Sequence, residues 1–222
     1  MRRLLFVTFA AVGGWLMRPR LSRLLRTIDR RSGLFAPHGA ALYAGVAPRI
    51  LRPLYRRVAS DVAEITRGKP VRILDIGSGP GDLAIEIARR LPEASFIGVD
   101  LAQAMIDIAG RSARAAGLQT RIVFEFADAA LLPVDDGSID VVVSSLSLHH
   151  WDQPPAVFAE VHRVLRPGGS ALVYDLAAIT YSRTEIAEIL GDAGWRPVAA
   201  EPVRFGRLPV TLIRRIRLDR PT

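Results

Sequence analysis

A glycine-rich loop with acidic residues on both sides is the segment of this sequence whose residue types best suit ligand binding. It runs from Asp75 to Asp82 and contains Gly77, Gly79 and Gly81. Glycine permits a tight turn and lets a ligand approach the backbone where any Cβ would clash. The flanking carboxylates repel a diphosphate, so the loop favours a ligand that lacks phosphate and carries a positive charge.

The spacing of the glycines argues against two common nucleotide-binding loops. A dinucleotide-binding fingerprint, G-x-G-x-x-G, would place its third glycine at position 82, where this chain has Asp82. A phosphate-binding P-loop requires Gly-Lys-Ser or Gly-Lys-Thr, which this loop lacks. NAD and nucleoside triphosphates are therefore not the expected ligands.

Two further aspartates are predicted at the ends of strands. Asp100 ends the second predicted strand, where its carboxylate could accept hydrogen bonds from two adjacent ribose hydroxyls. Asp128 ends the third, where it could accept from the exocyclic amine of adenine, with the amide of Ala129 nearby. Each aspartate alone could be a helix cap or a turn residue. The three strand-end acids together with the loop indicate a nucleoside site.

The elements that position these residues alternate between strands and helices from residue 71 onward. Apolar runs predict strands over 71–76, 95–100, 121–126, 139–145 and 171–175, with two more over 198–203 and 210–218. Helices are predicted over 82–91, 102–116, 154–165 and 182–193. This order is typical of a parallel sheet with helices on both faces, whose ligands bind beyond the carboxyl ends of the strands.

The segment before the first strand has a different character. Residues 18–53 contain seven prolines and glycines, which predict short helices joined by turns. Residues 54–67 then predict one amphipathic helix, with Leu54, Val58 and Val62 on one face.

Composition excludes several classes of protein. The chain has 222 residues and no cysteine, so disulfides, thiolate metal sites, iron–sulfur clusters and cysteine nucleophiles are excluded. Its net charge of +8 is uneven, because residues 1–70 hold 14 basic against 3 acidic residues, while residues 71–200 hold 10 against 17. Basic ends can indicate nucleic acid, an anionic membrane or a solvated face.

The N-terminus carries an apolar run of 14 residues, Leu4 to Met17, between arginines. The run is shorter than the roughly 20 residues that span a bilayer. A signal peptide would need a small-x-small cleavage site, where this chain has Trp15-Leu16-Met17. We expect either a helix that lies on an anionic membrane surface through residues 1–26, or one that packs on the protein's own body.

Residues 71–175, about half of the chain, resemble the class I S-adenosylmethionine-dependent methyltransferases, and within them the type-11 small-molecule group. The motifs that carry the resemblance are Leu74–Gly81, Val99–Leu101, Ala127–Ala129, Asp140–His150 and Val164–Gly169. The resemblance implies a Rossmann-like, seven-stranded, mostly parallel sheet with helices on both faces and its last strand antiparallel. Residues 1–69 would form a helical cover over the substrate, and residues 70–222 the cofactor-binding domain.

The resemblance also implies S-adenosylmethionine as the cofactor. The loop would shape the site of its methionine end, Asp100 would hold the ribose, and Ser145 would lie near the sulfonium. The residues expected to contact the cofactor are Asp75, Gly77, Ser78, Gly79, Gly81, Asp100, Leu101, Met105, Asp128, Ala129 and Ser145. For Met105, packing inside the second helix is an equal alternative.

His149 and His150, after the fourth strand, are the candidates for a general base. A base is needed only if the acceptor carries a proton that must leave early. The alternative is that one histidine packs against the helix predicted from Pro154 while the other faces solvent. Trp151 is interpreted as a packing residue or a pocket wall.

The expected reaction transfers a methyl group to a small, apolar, quinone-, lipid- or polyketide-like acceptor in the cytoplasm. Nucleic-acid methylation is a weaker alternative, since the chain lacks the Asn/Asp-Pro-Pro-Tyr/Phe turn after the fourth strand and a cysteine for cytosine C5 chemistry. A cofactor-binding partner subunit without catalysis at the membrane is another alternative.

Overall fold

The computed structural model describes residues 37–195, 200–203 and 212–222, which form alternating helices and strands. In chain order they are α1 (Pro37–Thr66), β1 (Arg72–Ile76), α2 (Asp82–Arg90), β2 (Ser95–Asp100), α3 (Gln103–Ala115), β3 (Ile122–Phe126), β4 (Ile139–Ser145), a 3₁₀ turn (Leu148–His150), α4 (Pro154–Val164), β5 (Leu165–Leu176), α5 (Arg183–Asp192), β6 (Ala200–Val203) and β7 (Ile213–Asp219).

The strands form one seven-stranded sheet in the order β3-β2-β1-β4-β5-β7-β6. The first five strands are parallel, and β7 runs antiparallel to β5 and β6, which confirms the predicted fold class. The strand order reverses beside β1, which lies between β2 and β4. A crevice at the carboxyl ends of strands that flank such a reversal is where ligands bind in this type of sheet.

Alternating residues of the central strands face two separate apolar cores. Ile73, Val141 and Val143 belong to the core beneath α1 and α2, whereas Leu74 and Val142 belong to the core beneath α4 and α5. Successive strand residues point to opposite faces. The three consecutive valines of β4 are therefore buried because both faces of the sheet are covered, as predicted.

The prediction of short helices before residue 54 was wrong over residues 37–53, where the structure has one helix that continues to Thr66. Pro48 and Pro53 each remove one backbone donor from that helix. Its C-terminal half is anchored by burial of an apolar face that includes Val58 and Val62, both 0% exposed. Residues 18–36 lie outside the described residues.

The fifth strand also differs from its prediction, because β5 begins at Leu165 and includes Pro167-Gly168-Gly169. These residues form an irregularity in the pairing with β4, where the partners of Ile139 and Val141 are Leu165 and Ser170. A Cβ at Gly169 would lie 2.9 Å from the carbonyl oxygen of Arg166. The glycine therefore permits a bulge inside the strand rather than a turn before it.

A buried carboxylate joins α1 to the sheet. Asp61, 6% exposed, accepts hydrogen bonds from the Tyr174 hydroxyl of β5 at 2.6 Å and from Nη1 of Arg215 in β7 at 3.1 Å. Arg57 donates to its other oxygen at 2.9 Å. Burial, and then the bond to Asp61, raises the pKa of the Tyr174 phenol. These contacts fix α1 against the face of the sheet beside the crevice.

Candidate functional site

The glycine loop between β1 and α2 turns sharply at the carboxyl edge of the sheet. Gly77, Gly79 and Gly81 have φ values of +69°, +52° and +86°, a region that residues with a Cβ rarely adopt. The backbone amides of Gly77 and Ser78 donate to the carbonyl oxygen of Val99 at 2.9 and 3.0 Å. The loop is therefore fastened to the end of β2.

The three glycines have different surroundings. A Cβ at Gly77 would lie 2.4 Å from the Cβ of Ser147, and one at Gly81 would lie 2.7 Å from the ring of Phe124. A Cβ at Gly79 would meet no atom within 4 Å. Gly77 and Gly81 thus allow neighbouring side chains to pack closely against the loop. Gly79, which forms the crest of the loop, faces open space that a ligand can occupy.

Asp75 lies beneath this loop with an unsatisfied oxygen. The residue is 1% exposed, and within the described part of the chain its Oδ2 has no hydrogen-bond partner; the same holds for Oγ of the buried Ser78. Burial, and then the charge of Asp100, raises the pKa of Asp75 to about 8. Unpaired buried polar atoms are costly, so these two oxygens indicate where the polar atoms of a ligand bind.

Asp100 combines fixed geometry with spare accepting capacity. Its two oxygens accept one backbone amide each, from Gly79 and Ala102, both at 2.9 Å. Each carboxylate oxygen can accept at least one more hydrogen bond. Burial raises its pKa, against the lowering effect of the amides of Ala102 and Gly79. The side chain is therefore held in place with capacity for two more hydrogen bonds.

The remaining predicted cofactor residues occupy different environments. Asp128 is exposed and accepts from the amide of Ala130 at 2.8 Å, which is the turn geometry that the sequence left as an alternative. Leu101 is 61% exposed and Met105 is fully buried, so contact between Met105 and a cofactor stays a prediction. Ala129 and Ser145 are half-buried. Because Asp100 is the register partner of Phe126, the segments that carry Leu101 and Asp128 follow adjacent strand ends.

The two candidate histidines are neighbours, and one belongs to a buried pair. His149, 3% exposed, places Nδ1 2.6 Å from Oδ1 of Asp175, and its backbone amide donates to the other oxygen at 3.0 Å. Because a carboxylate only accepts, Nδ1 of His149 carries the proton when Asp175 is ionised. The His150 ring lies over His149, with centroids 4.0 Å apart.

The sequence reasoning missed Asp175, although a signal was present. Asp175 lies at the end of the predicted fifth strand. Asp75, Asp100 and Asp128 were identified as candidates because they occupy the same kind of position on other strands. The residue is 2% exposed and brings a fourth strand-end carboxylate to this edge of the sheet. Both of its oxygens contact His149, one the ring nitrogen Nδ1 and the other the backbone amide.

Trp151 is a packing residue, which is one of the two roles predicted for it from the sequence. It is 7% exposed, its ring lies edge-on to Phe158 with centroids 5.3 Å apart, and its Nε1 donates to Oγ of Ser147 at 3.0 Å. Within the described ranges, no group of three or more histidine, aspartate and glutamate side chains is arranged to hold a metal ion.

The site fits S-adenosylmethionine. The orphaned oxygens of Asp75 and Ser78 suit the polar methionine end, the open crest at Gly79 admits a ligand, and Asp100 suits the ribose. The acidic lining suits a cationic cofactor better than a diphosphate. Leu101 supplies an exposed apolar side chain beside the expected position of the base.

Comparison with known proteins gives consistent matches. A family model described as a methyltransferase domain matches residues 73–169. The demethylmenaquinone methyltransferase of Thermus thermophilus is 40% identical over 121 residues, covering 54% of this chain and 53% of that protein. The 27-O-demethylrifamycin SV methyltransferase of Amycolatopsis mediterranei is 38% identical over 108 residues, covering 49% of this chain and 39% of that protein. The chain thus matches about half or less of the length of these relatives.

A solved structure supports the fold over most of the chain. A SAM-dependent methyltransferase from Aquifex aeolicus superposes with a TM-score of 0.62, covering 91% of this chain and 98% of that one. The sequence identity is 18%, so this likeness concerns the fold alone.

Proposed function

We propose that this protein transfers a methyl group from S-adenosylmethionine to a small-molecule acceptor, because residues 73–169 match a family model described as a methyltransferase domain. The observation that carries the proposal is the cradle at the end of β1. There, an open glycine crest adjoins two orphaned buried oxygens and the amide-held carboxylate of Asp100.

The bound cofactor supplies an electrophilic methyl group on its sulfonium, so the protein mainly has to orient the reactants and exclude water. In this proposal Asp75, Ser78 and the loop glycines hold the methionine end, and Asp100 holds the ribose. Fixing donor and acceptor in line can lower the barrier by about 7–11 kcal/mol.

His149 acts as the general base for an acceptor that carries a proton. Oδ1 of Asp175 lies 2.6 Å from Nδ1 and accepts its hydrogen bond, which directs proton uptake to Nε2 of the same ring. This is the arrangement of an oriented histidine base, in which the carboxylate fixes the tautomer and stabilises the charged ring. His150 packs on this ring and supports its position.

An apolar acceptor is the class that we propose. The matched relatives are named for the small-molecule acceptors demethylmenaquinone and 27-O-demethylrifamycin SV, and matching them argues against nucleic acid. In the segment after β4, this chain places serines, leucines and histidines rather than a proline-containing turn.

Turnover and binding together test the proposal against a cofactor-binding protein without catalysis. We expect S-adenosylhomocysteine to form when the protein is incubated with S-adenosylmethionine and a panel of quinol, phenol and acyl-thioester acceptors, measured by mass spectrometry. An Asp100→Ala variant is the matched control and should form much less product. Tight binding of S-adenosylhomocysteine with no methylated product from any panel member would favour the silent subunit.

The cradle also predicts how binding depends on pH. The α-ammonium group at the methionine end, which S-adenosylhomocysteine shares with S-adenosylmethionine, favours ionised Asp75, whose pKa is raised to about 8. Affinity for S-adenosylhomocysteine should therefore weaken as pH falls from about 8 to 6.5, by up to about tenfold per unit. Calorimetry should show this slope in the parent and its loss in Asp75→Asn. Asp82→Asn is the control that keeps the slope, because burial raises the pKa of Asp82 only to about 6. An unchanged slope in Asp75→Asn would contradict the assignment.

We further propose that the protein associates with the cytoplasmic, anionic face of a membrane through residues 1–26. Six arginines flank the apolar run 4–17: Arg2, Arg3, Arg18, Arg20, Arg23 and Arg26. Each contributes up to about 1 kcal/mol at an anionic surface. Arg49, Ile50 and Arg52 of α1 are also exposed, Ile50 to 66%. Among the described residues, no helix combines the length and apolar character needed to cross a bilayer.

Co-sedimentation with vesicles tests this association. The full-length protein should pellet with anionic vesicles, bind less as salt rises, and remain in the supernatant when residues 1–26 are deleted. Vesicles of neutral lipid are the control. A full-length protein that stays in the supernatant with anionic vesicles at low salt would contradict membrane association and leave the methyltransferase proposal intact.

A further inference from the structure

The segment that follows β4, which we call the β4 loop (residues 146–151), touches both halves of the site. It carries His149 at one end, and at the other Ser147 packs against Gly77 of the glycine loop. Ser147 is therefore the point at which the loop expected to hold the cofactor meets the loop that carries the proposed base.

The hydroxyl of Ser147 makes three hydrogen bonds. It donates to the carbonyl oxygen of Ile76 at 3.2 Å, accepts from Nε1 of Trp151 at 3.0 Å, and lies 2.8 Å from Oγ of Ser144. A hydroxyl has one proton and two lone pairs. Because the Ile76 carbonyl can only accept and the indole can only donate, Ser144 must be the donor of the third bond. Every bonding position of Ser147 is thus used, in one orientation.

The backbone around Ser147 is also constrained. Leu146 has a φ of +57° although it is not glycine, and its amide donates to the carbonyl oxygen of Tyr174 at 2.8 Å. Such a conformation persists only where surrounding contacts impose it. A Cβ added at Gly77 would lie 2.4 Å from the Ser147 Cβ, so the two loops approach each other closely at this point.

We propose that Ser147 is a positioning residue that couples the glycine loop to the β4 loop. A ligand bound at the glycine loop then changes the positions of the Trp151 and His149 side chains. The proposal rests on the proposed function for the identity of the cofactor. Ser147 touches neither reactant in this scheme and acts through the Ile76 carbonyl on one side and the Trp151 indole on the other.

The indole proton of Trp151 reports on this coupling directly. In ¹⁵N-labelled protein, its resonance, assigned with a Trp151→Phe variant, should shift when S-adenosylhomocysteine is added. In Ser147→Ala the shift should fall at least threefold, while the Kd for S-adenosylhomocysteine changes less than threefold. With an accepted substrate, kcat should fall and the KM for the methyl donor should stay near that of the parent.

Two further variants sharpen the test. Ser144→Ala removes only the donor to Ser147, so its Trp151 resonance should shift by an amount between those of the parent and Ser147→Ala. This variant tests the coupling even if Ser147→Ala folds poorly. Ser138→Ala removes a surface hydroxyl that donates to the carbonyl oxygen of Asp135 at 2.7 Å, and should leave the Trp151 response unchanged.

The possible failures are distinguishable. A Trp151 shift as large in Ser147→Ala and Ser144→Ala as in the parent would overturn the coupling and leave the proposed function standing. A parent protein that gives neither binding heat nor any shift with S-adenosylhomocysteine would overturn both.

Discussion

Replacing His149 with alanine is expected to lower kcat by about 10²–10⁴-fold, the usual contribution of a general base, on an acceptor that must lose a proton. Affinity for S-adenosylhomocysteine should stay near that of the parent, because His149 lies outside the glycine loop. Asp175→Asn should lower kcat in the same direction, since it removes the carboxylate that holds Nδ1 at 2.6 Å. Single-turnover kinetics and calorimetry measure the two quantities separately.

His162→Ala is the matched control for this prediction. His162 lies on α4 and packs edge-on against Trp195, with ring centroids 5.0 Å apart, so its loss removes an imidazole without touching the site. Parental turnover in both His149→Ala and His150→Ala would mean that positioning alone drives the reaction, and the base assignment would then be wrong.

Replacing Asp61 with alanine should lower the free energy of unfolding by about 3–5 kcal/mol, the cost of removing one partner from a buried charged pair. The change leaves the buried Tyr174 hydroxyl without its acceptor. It also removes the only carboxylate among the described residues that links α1 to both β5 and β7. Urea denaturation, followed by circular dichroism, measures the loss.

Asp136→Ala is the control for Asp61→Ala. Asp136 forms an ion pair of 2.7 Å with Arg163, but its side chain is 80% exposed. Exposed pairs contribute about 0–1 kcal/mol, so this variant should unfold close to the parent. Equal, small losses in both variants would contradict the view that the buried carboxylate anchors α1.

Local features of the sequence were sufficient to predict the tight glycine loop and the position of Asp100. The positive φ values of the glycine loop and the strand-end placement of Asp100 follow from residue type and strand periodicity, which act over a few residues. The three consecutive valines of β4 likewise predicted a strand buried on both faces, because a two-sided core is the only environment that accepts them.

Features that depend on long-range pairing could not be predicted in the same way. Asp175 reaches His149 because Ser145 and Tyr174 are register partners in β4 and β5, and register is a property of the folded sheet. The continuous helix α1 overrides the helix-breaking tendency of its prolines, because burial of its C-terminal half in the apolar core compensates for the lost donors.

Calorimetric titration with S-adenosylhomocysteine, and separately with NAD, tests the central claim most directly. The parent should bind S-adenosylhomocysteine and show no measurable heat with NAD. Asp100→Ala should lose about 1.5–3 kcal/mol of binding free energy, the contribution of hydrogen bonds to a charged group, which is roughly a 10- to 150-fold rise in Kd. Tight NAD binding without any response to S-adenosylhomocysteine would contradict the account.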